Sequence, residues 1–371
     1  MHTEGTHEVK NKARNIFFLF GIIAVIVMIL TFKVSFAEMW QDIQTTGYWL
    51  LPIIGMWLVL YCMNALTWRT IIRGSGDCPI SFLKLVKVTI SGFALNYATP
   101  CGLMGGEPYK IMELTPYIGR ERATSSVLLF AMMHIFAHFW YWLSASILFI
   151  LMVVVGTLSL DVHMSIALPL IILFSLSGIY LFVKGYKNGM VVKIIRMVSK
   201  LPFCRNWGQN FIAKHSEELH NIDTQIAELQ GQNKHSFYCS FFLEYVGRTL
   251  QSFEIFFMLQ LVEVQGSPLQ LFAYSFIILA FTSLFANLLF FMPLQLGGRE
   301  GGFAMSTIEM KMTGMSGALL TTNEAMTIAV FISIICRIRE IFWTIVGLLL
   351  MKIGNKVVIK NKDEQTMSKK E

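Results

Sequence analysis

The sequence predicts an all-α polytopic membrane protein with six full transmembrane helices, two re-entrant hairpins of opposite orientation forming an inverted repeat, and both termini cytoplasmic. Three observations carry this. Hydrophobic residues make up 55% of the 371-residue chain and charged residues only 14%. A soluble domain carries roughly 25% charged residues and has no core large enough to hide so much apolar surface. Apolar runs able to cross a ~30 Å hydrocarbon core recur along the chain. The basic residues gather in alternate connections between those runs, as the positive-inside rule requires.

Taken in order, residues 1–15 are polar, with Lys10, Lys12 and Arg14, and form a cytoplasmic lead-in. The run 16–32 is longer than the ~7–15 residues of a secretory h-region, so it is read as a retained first crossing despite Ser35-Phe36-Ala37 just beyond it. Runs 48–68, 123–155, 165–183, 236–262 and 323–351 supply the other five crossings. The run 88–99 is too short to span and stops at Thr99-Pro100-Cys101-Gly102. The run 269–292 stops at Met292-Pro293 and Gly297-Gly298, and the segment beyond it carries Arg299, Glu300, Glu309 and Lys311. Both are read as hairpins, each continued by a short helix. Residues 184–235 are a cytoplasmic insertion. Within it, 190–201 is amphipathic, with Lys193, Arg196 and Lys200 suited to an anionic leaflet, and 211–229 is a charged helix. The membrane domain therefore covers 16–351, and 352–371 form a basic cytoplasmic tail.

Placing the 30 Lys and Arg residues tests this topology. Twenty-four fall on the side of the termini, Lys33, Arg299 and Lys311 on the other, and Arg248, Arg337 and Arg339 inside apolar runs. The net charge of +7 is thus a cytoplasmic bias and excludes a nucleic-acid footprint. The same topology sends the first hairpin in from the cytoplasm and the second from outside. Their ends are alike: Asn96…Pro100…Gly105-Gly106-Glu107 against Asn287…Pro293…Gly297-Gly298-Arg299-Glu300. Each leads through a short helix and a glycine, Gly119 or Gly314, into a long crossing. One motif in two opposite orientations is the mark of an inverted repeat.

Irregular backbone at membrane depth is tolerated only where protein or a water-filled cavity covers it. The two glycine breaks therefore predict a polar cavity between the halves. The helix starts beyond them offer amides and a positive dipole end to an anion, while Glu107 and Glu300 are equally suited to capping those helices. Intramembrane charge points the same way. Glu244 and Arg248 are four apart on one helix face and positioned to pair, with Glu254 beyond; Arg337 and Glu340 are three apart, with Arg339 between. Each such charge costs at least ~2.5–3.5 kcal/mol at the bilayer centre. They either form an Arg–Glu brace between the halves or meet an anionic group such as a lipid phosphate, which a planar guanidinium suits. His134 and His138 form an HxxxH pair with no Glu or Cys beside it in sequence. It is read as cavity-lining, and no metal is expected. The six cysteines contain no CxxC pair and read as small core residues. There is no DxD, P-loop, GxSxG or GxGxxG, and no cofactor is expected.

The segment from Asn96 to Gly119 with GGEPYK, the stretch MPLQLGGREGGFAMS and the run CRIREIFWTIVGLLLM at 336–351 resemble the membrane domain of lysylphosphatidylglycerol synthases, a flippase-like family with stand-alone members. The resemblance covers about 13–351. It implies a lipid-translocating domain with paired re-entrant elements, whose glutamates correspond to Glu107 and Glu300 and whose arginine corresponds to Arg337. One departure is GGRE at 297–300, where the family form is closer to G-L-G-x-R-E. Full-length synthases continue into a soluble aminoacyl-transferase domain, so this chain is expected to be a stand-alone member that does not transfer lysine by itself.

The expected function is movement of an anionic phospholipid, or a polyprenyl or other lipid-linked anion, between leaflets of a bacterial-type inner membrane. The expected headgroup site comprises Arg248, Arg337, Glu107, Glu300, Gly105, Gly106, Gly297, Gly298, Arg299 and Lys110. His134, His138, Glu244 and Asn96 line the cavity. Two other classes compete: a membrane-embedded transferase or hydrolase using Glu107, Glu300 or His134 as acid or base, and an accessory subunit. The protein partners allowed are a second copy of the chain or a lipid-biosynthetic enzyme.

Overall fold

A computed structural model describes residues 47–98, 105–187, 234–289 and 298–352, together with the isolated positions Asn15, Leu19, Gln44 and Thr224. The expected crossing at 16–32, the insertion stretches 190–201 and 211–229, the breaks at Pro100 and Pro293, Gly297 and the tail beyond Lys352 lie outside the described residues.

The described residues are all-α. After a 3-10 turn at Gly47–Trp49 come α1 (Leu50–Gly74), α2 (Phe82–Ala98), α3 (Gly106–Ile118), α4 (Arg120–Val154), α5 (Val162–Lys187), α6 (Lys234–Leu261), α7 (Pro268–Leu288), α8 (Gly298–Glu309) and α9 (Thr322–Lys352). Local chemistry sets several boundaries. Ser267 caps α7, its hydroxyl accepting from the Gln270 amide with Pro268 in the first turn. Gly119, at φ 80°, supplies the left-handed residue that separates α3 from α4. Thr321 and Glu324 cap α9 reciprocally: the carboxylate accepts from the Thr321 amide at 2.8 Å, and the Thr321 hydroxyl accepts from the Glu324 amide at 3.3 Å.

Among the described residues, four segments are long and apolar enough to cross a membrane: Gly47–Gly74, Arg120–Val154, Val162–Lys184 and Pro268–Leu288. Helices α6 and α9 have the length, at 28 and 31 residues, but interrupt their apolar faces with Glu244, Arg248 and Glu254 and with Arg337, Arg339 and Glu340. Pro268–Leu288 is the most buried of the four apolar segments, with 67% of its most apolar stretch inside the protein, against 22% for Val162–Lys184. That fits an inner arm for α7 and a lipid-facing position for α5.

Helices α2 and α3 form an antiparallel hairpin. At its base the Lys84 ammonium donates to the Tyr117 hydroxyl at 2.8 Å; at its tip the Gly106 amide donates to Asn96 Oδ1 at 2.7 Å. The helices approach so closely there that a Cβ on Gly106 would land on the Gly92 carbonyl oxygen. Helices α7 and α8 form a second hairpin. The chain is tied at its base by the Gln265 amide and the Thr313 carbonyl at 2.9 Å, and Thr282 Cα lies 3.0 Å from where a Cβ on Gly302 would sit.

Packing relates the two sets of four helices. Pairs α1–α2, α2–α3, α3–α4 and α2–α9 have the counterparts α6–α7, α7–α8, α8–α9 and α7–α4, and α1 packs against α6. Helices α2 and α8 lie end to end along α9, both antiparallel to it. Tyr97 and Arg299 meet Glu340 near its middle; Ser91 reaches the Gly347 carbonyl toward one end, and Met312 bonds Leu320 at the other. The two hairpin tips therefore converge on mid-α9 from opposite ends.

Two hydrophobic cores result. One holds α7, α8 and the second half of α4 (from Tyr141) with α9 up to Ile338. The other holds α2, α3 and α4 up to Phe136 with α9 from Trp343 onward. Helix α1 passes from the first to the second between Ile53 and Trp57. The crossing helices leave one core and enter the other at the same level, and that seam is where the intramembrane charges lie.

Candidate functional site

Two ionic clusters occupy the seam. The first centres on Glu340, 1% exposed on α9. It takes hydrogen bonds from the Arg299 guanidinium at the start of α8, from Arg337 Nη1 at 3.2 Å and from the Tyr97 hydroxyl at 2.9 Å. Arg337 also donates to Glu300 Oε1 at 2.8 Å, and the Ser333 hydroxyl reaches the same oxygen at 3.4 Å. Arginines 337 and 339 are two residues apart, so they project about 200° apart around the helix. Arg337 is 16% exposed and its partner Glu300 39%. Arg339 is 1% exposed and faces inward to Glu254, also 1% exposed, with Nε–Oε1 at 2.9 Å and its guanidinium 3.7 Å above the Trp57 ring. Arg299, Arg337 and Arg339 balance Glu254, Glu300 and Glu340, so the cluster is neutral. Mutual pairing offsets a desolvation cost that three isolated ion pairs would not meet.

The second cluster lies where α3, α4 and α6 meet. Lys110 sits 3.5 Å from Glu107 and over the rings of Phe130 and Trp68, at 5.4 and 5.9 Å. Asn96 donates to Glu107 at 3.1 Å while its oxygen accepts the first amide of α3, so Asn96, rather than an external anion, caps that helix. His134 Nδ1 is 2.9 Å from Glu244 Oε2, and the Arg248 guanidinium bonds the ring at Nε2 and donates to Gln251 at 3.0 Å. The expected Glu244–Arg248 pairing thus runs through His134. His138 Nδ1 donates to the His134 carbonyl at 2.8 Å, and its ring packs on His134 and Trp142. The glutamate of Lys110 is 26% exposed and His134 is 34% exposed, so each cluster has an accessible edge. Adjacent residues join the clusters: Asn96 belongs to the second and Tyr97 to the first.

The structure thus brings Arg337, Glu300 and Arg299 into one cluster and Glu107, Lys110, Asn96, His134, Glu244 and Arg248 into the other. Gly105 and Gly106 form the turn into α3. Gly298 opens α8, where a Cβ would meet the Leu289 side chain at 3.0 Å. Tyr97 and Gln251 were not read from the sequence. Tyr97, next to Asn96 at a helix end, carried only that adjacency as a signal; Gln251, three residues after Arg248, shares its helix face.

Helices long enough to cross a bilayer and a paired ionic seam between two apolar cores define a multi-pass membrane protein. The chain matches the family described as lysylphosphatidylglycerol synthase TM region over residues 17–345 and belongs to it. No curated protein and no solved structure matches the chain. Family membership ties this fold to lipid metabolism or transport.

Proposed function

We propose that the protein moves an anionic phospholipid or lipid-linked precursor between the leaflets of a bacterial-type inner membrane. The carrying observation is the exposure of Glu300, Arg337, Glu107 and His134 at the level where both hairpin tips meet the crossing helices. Charges there are costly in hydrocarbon, and partial exposure gives them contact with water or a polar headgroup. The headgroup exchanges into the Arg337–Glu300 and Arg248–His134 contacts while the acyl chains stay in lipid.

In this reading the segment 16–32 with α1, α4, α5, α6 and α9 makes six crossings, both termini are cytoplasmic, and α2–α3 and α7–α8 are re-entrant elements of an inverted repeat. The matching helix pairs and the end-to-end placement of α2 and α8 along α9 support it. Rocking one set of four helices against the other about the seam would open the site alternately to either side.

The test is reconstitution of the full chain in liposomes with fluorescent phosphatidylglycerol, read by dithionite quenching. Wild type should accelerate leaflet exchange and return the lipid with its mass unchanged. Arg337→Gln should slow exchange about tenfold or more, because it removes the guanidinium that donates to both Glu300 and Glu340. Equal rates for the two proteins, or no exchange across several anionic lipids, would overturn the reading. A changed lipid mass would replace it with an enzyme.

A further inference from the structure

We propose that His134 and Glu244 form a proton-binding site linked through Arg248 to the headgroup site, so that an anionic headgroup and a proton bind together. The proposal rests on the lipid-moving reading above and supplies it with a coupling ion.

The argument is one of donors and acceptors. A guanidinium offers five N–H donors and no acceptor. The same Arg248 nitrogen lies against His134 Nε2 and 3.3 Å from Nδ1, and a fixed positive charge so placed opposes a second proton on the ring. The single ring proton then lies on Nδ1 and is donated to Glu244 Oε2 at 2.9 Å. As long as Arg248 is in place, its charge disfavours the imidazolium. Glu244 is left under-satisfied: its side chain is 2% exposed, and its other oxygen, Oε1, is buried without a hydrogen-bond partner. This carboxylate has one hydrogen bond where two or three are usual, and the cations near it, Arg248 and Lys110, are both engaged with other partners.

An anion at the exposed edge of this cluster changes that balance. A phosphodiester drawing the Arg248 guanidinium to itself uncovers the Nε2 lone pair beside the Glu244 carboxylate. One proton added at Nε2 then gives an imidazolium paired with Glu244. The phosphodiester brings one negative charge and the proton one positive, so the site binds them as a neutral pair. No bond is made or broken other than N–H. When the headgroup leaves, Arg248 returns to Nε2 and the proton must go.

The surroundings leave His134 as the group that responds. From α6 it is faced by Glu244, Arg248 and the neutral Gln251; from α3 by Lys110, which Glu107 holds at 3.5 Å. On α4 itself, His138 has Nδ1 committed to the His134 carbonyl. Helix α7 carries no charged residue, α1 carries Arg69 and Arg73 in its last two turns, and α5 carries His163, Lys184 and Lys187 near its ends. Partial exposure of His134 gives the proton a path.

Linkage sets the size of the effect. If one proton accompanies each anion, the affinity for the anion falls by up to about tenfold per pH unit above the titration of the bound-state histidine. The experiment uses the purified full chain in weakly buffered detergent with dihexanoyl phosphatidylglycerol as the probe, binding by calorimetry and proton uptake by an indicator dye. Wild type should take up close to one proton per bound lipid near neutral pH, and its Kd should weaken as pH rises. His134→Gln keeps an amide oxygen for Arg248 and an N–H for Glu244 but no titrating ring, so its lipid binding should be weaker near neutral pH, independent of pH and without proton uptake. If that variant does not fold, Glu244→Gln serves: removing the counter-charge should move uptake about one pH unit lower or more. Lipid binding without proton uptake in wild type, or unchanged uptake in His134→Gln, overturns the coupling and leaves the lipid reading standing. No binding by wild type overturns the lipid reading itself.

Discussion

Replacing Arg339 by Met tests whether the inward-facing pair between α6 and α9 is a brace. The Arg339 guanidinium donates to both oxygens of Glu254, at 2.9 and 3.4 Å, and both side chains are 1% exposed. Without it, the partner nearest to Glu254 is the Cys336 thiol at 3.8 Å. An uncompensated buried charge costs about 3–5 kcal/mol, and loss of the desolvated contact with Trp57 adds up to ~2 kcal/mol. Glu254→Leu should cost less than Arg339→Met, because Arg339 would keep Glu340 at 3.6 Å and the Trp57 face. The double variant exchanges two desolvated charges for apolar groups of similar volume and should lie within about 2 kcal/mol of wild type. The cycle should therefore yield a coupling energy of about 2 kcal/mol or more. Reversible unfolding in mixed micelles, followed by tryptophan fluorescence for all four proteins, measures it. Lipid exchange per folded molecule should be unchanged in the double variant, since the pair has no exposed edge. Additive single-site losses would refute the reasoning, and so would a folded double variant that no longer exchanges lipid.

The same geometry fixes further outcomes. Gly106→Ala should lower stability and Gly301→Ala should not: the first Cβ lands on the Gly92 carbonyl, while the second meets nothing within 4 Å and reduces the entropy of the unfolded chain, worth about 0.4–1 kcal/mol; parallel melting curves compare them. Arg337→Lys should fold yet exchange lipid more slowly than wild type, since an ammonium does not reproduce the fork that spans Glu300 and Glu340; wild-type rates would show that charge alone suffices. Lys311→Ala should shift stability by no more than ~1 kcal/mol, because its pair with Asp161 is well exposed on both sides. Single cysteines at Asp77 and Ser316 in a cysteine-free background should react with impermeant maleimide from opposite sides of intact vesicles. Labelling from the same side would remove the opposed-hairpin topology.

The two short apolar runs are the elements whose ends the sequence defines least. The run 88–99 captures only the second half of α2, because Lys84 and Lys87 break the apolar pattern while remaining helical. The run 269–292 is long enough to span, and its length gives no basis for choosing between a crossing and a hairpin. That α8 packs back along α7, with the Gln265 amide and the Thr313 carbonyl bonded at the base, is visible only in the structure. Among the charged residues, Arg337 and Glu340 at i and i+3 are legible as a pair. The partition between Arg337, partly exposed, and Arg339, buried on Glu254, is legible only as a 200° difference in direction; nothing local says which direction is inside. His134 standing between Glu244 and Arg248 is not legible, because the partners are more than a hundred residues apart and on different helices.

What this sequence determines by itself is the solvent of each segment: composition and run length require a bilayer, and a glycine such as Gly119 fixes where a helix must stop. Those are one-dimensional quantities, sums and spacings along the chain. What only tertiary structure decides is how the charges are shared. A carboxylate such as Glu340 takes its meaning from Tyr97, Arg299 and Arg337, contributed by three helices. Electrostatic energy in a low-dielectric interior falls off over a few ångströms of space, and sequence distance does not enter it.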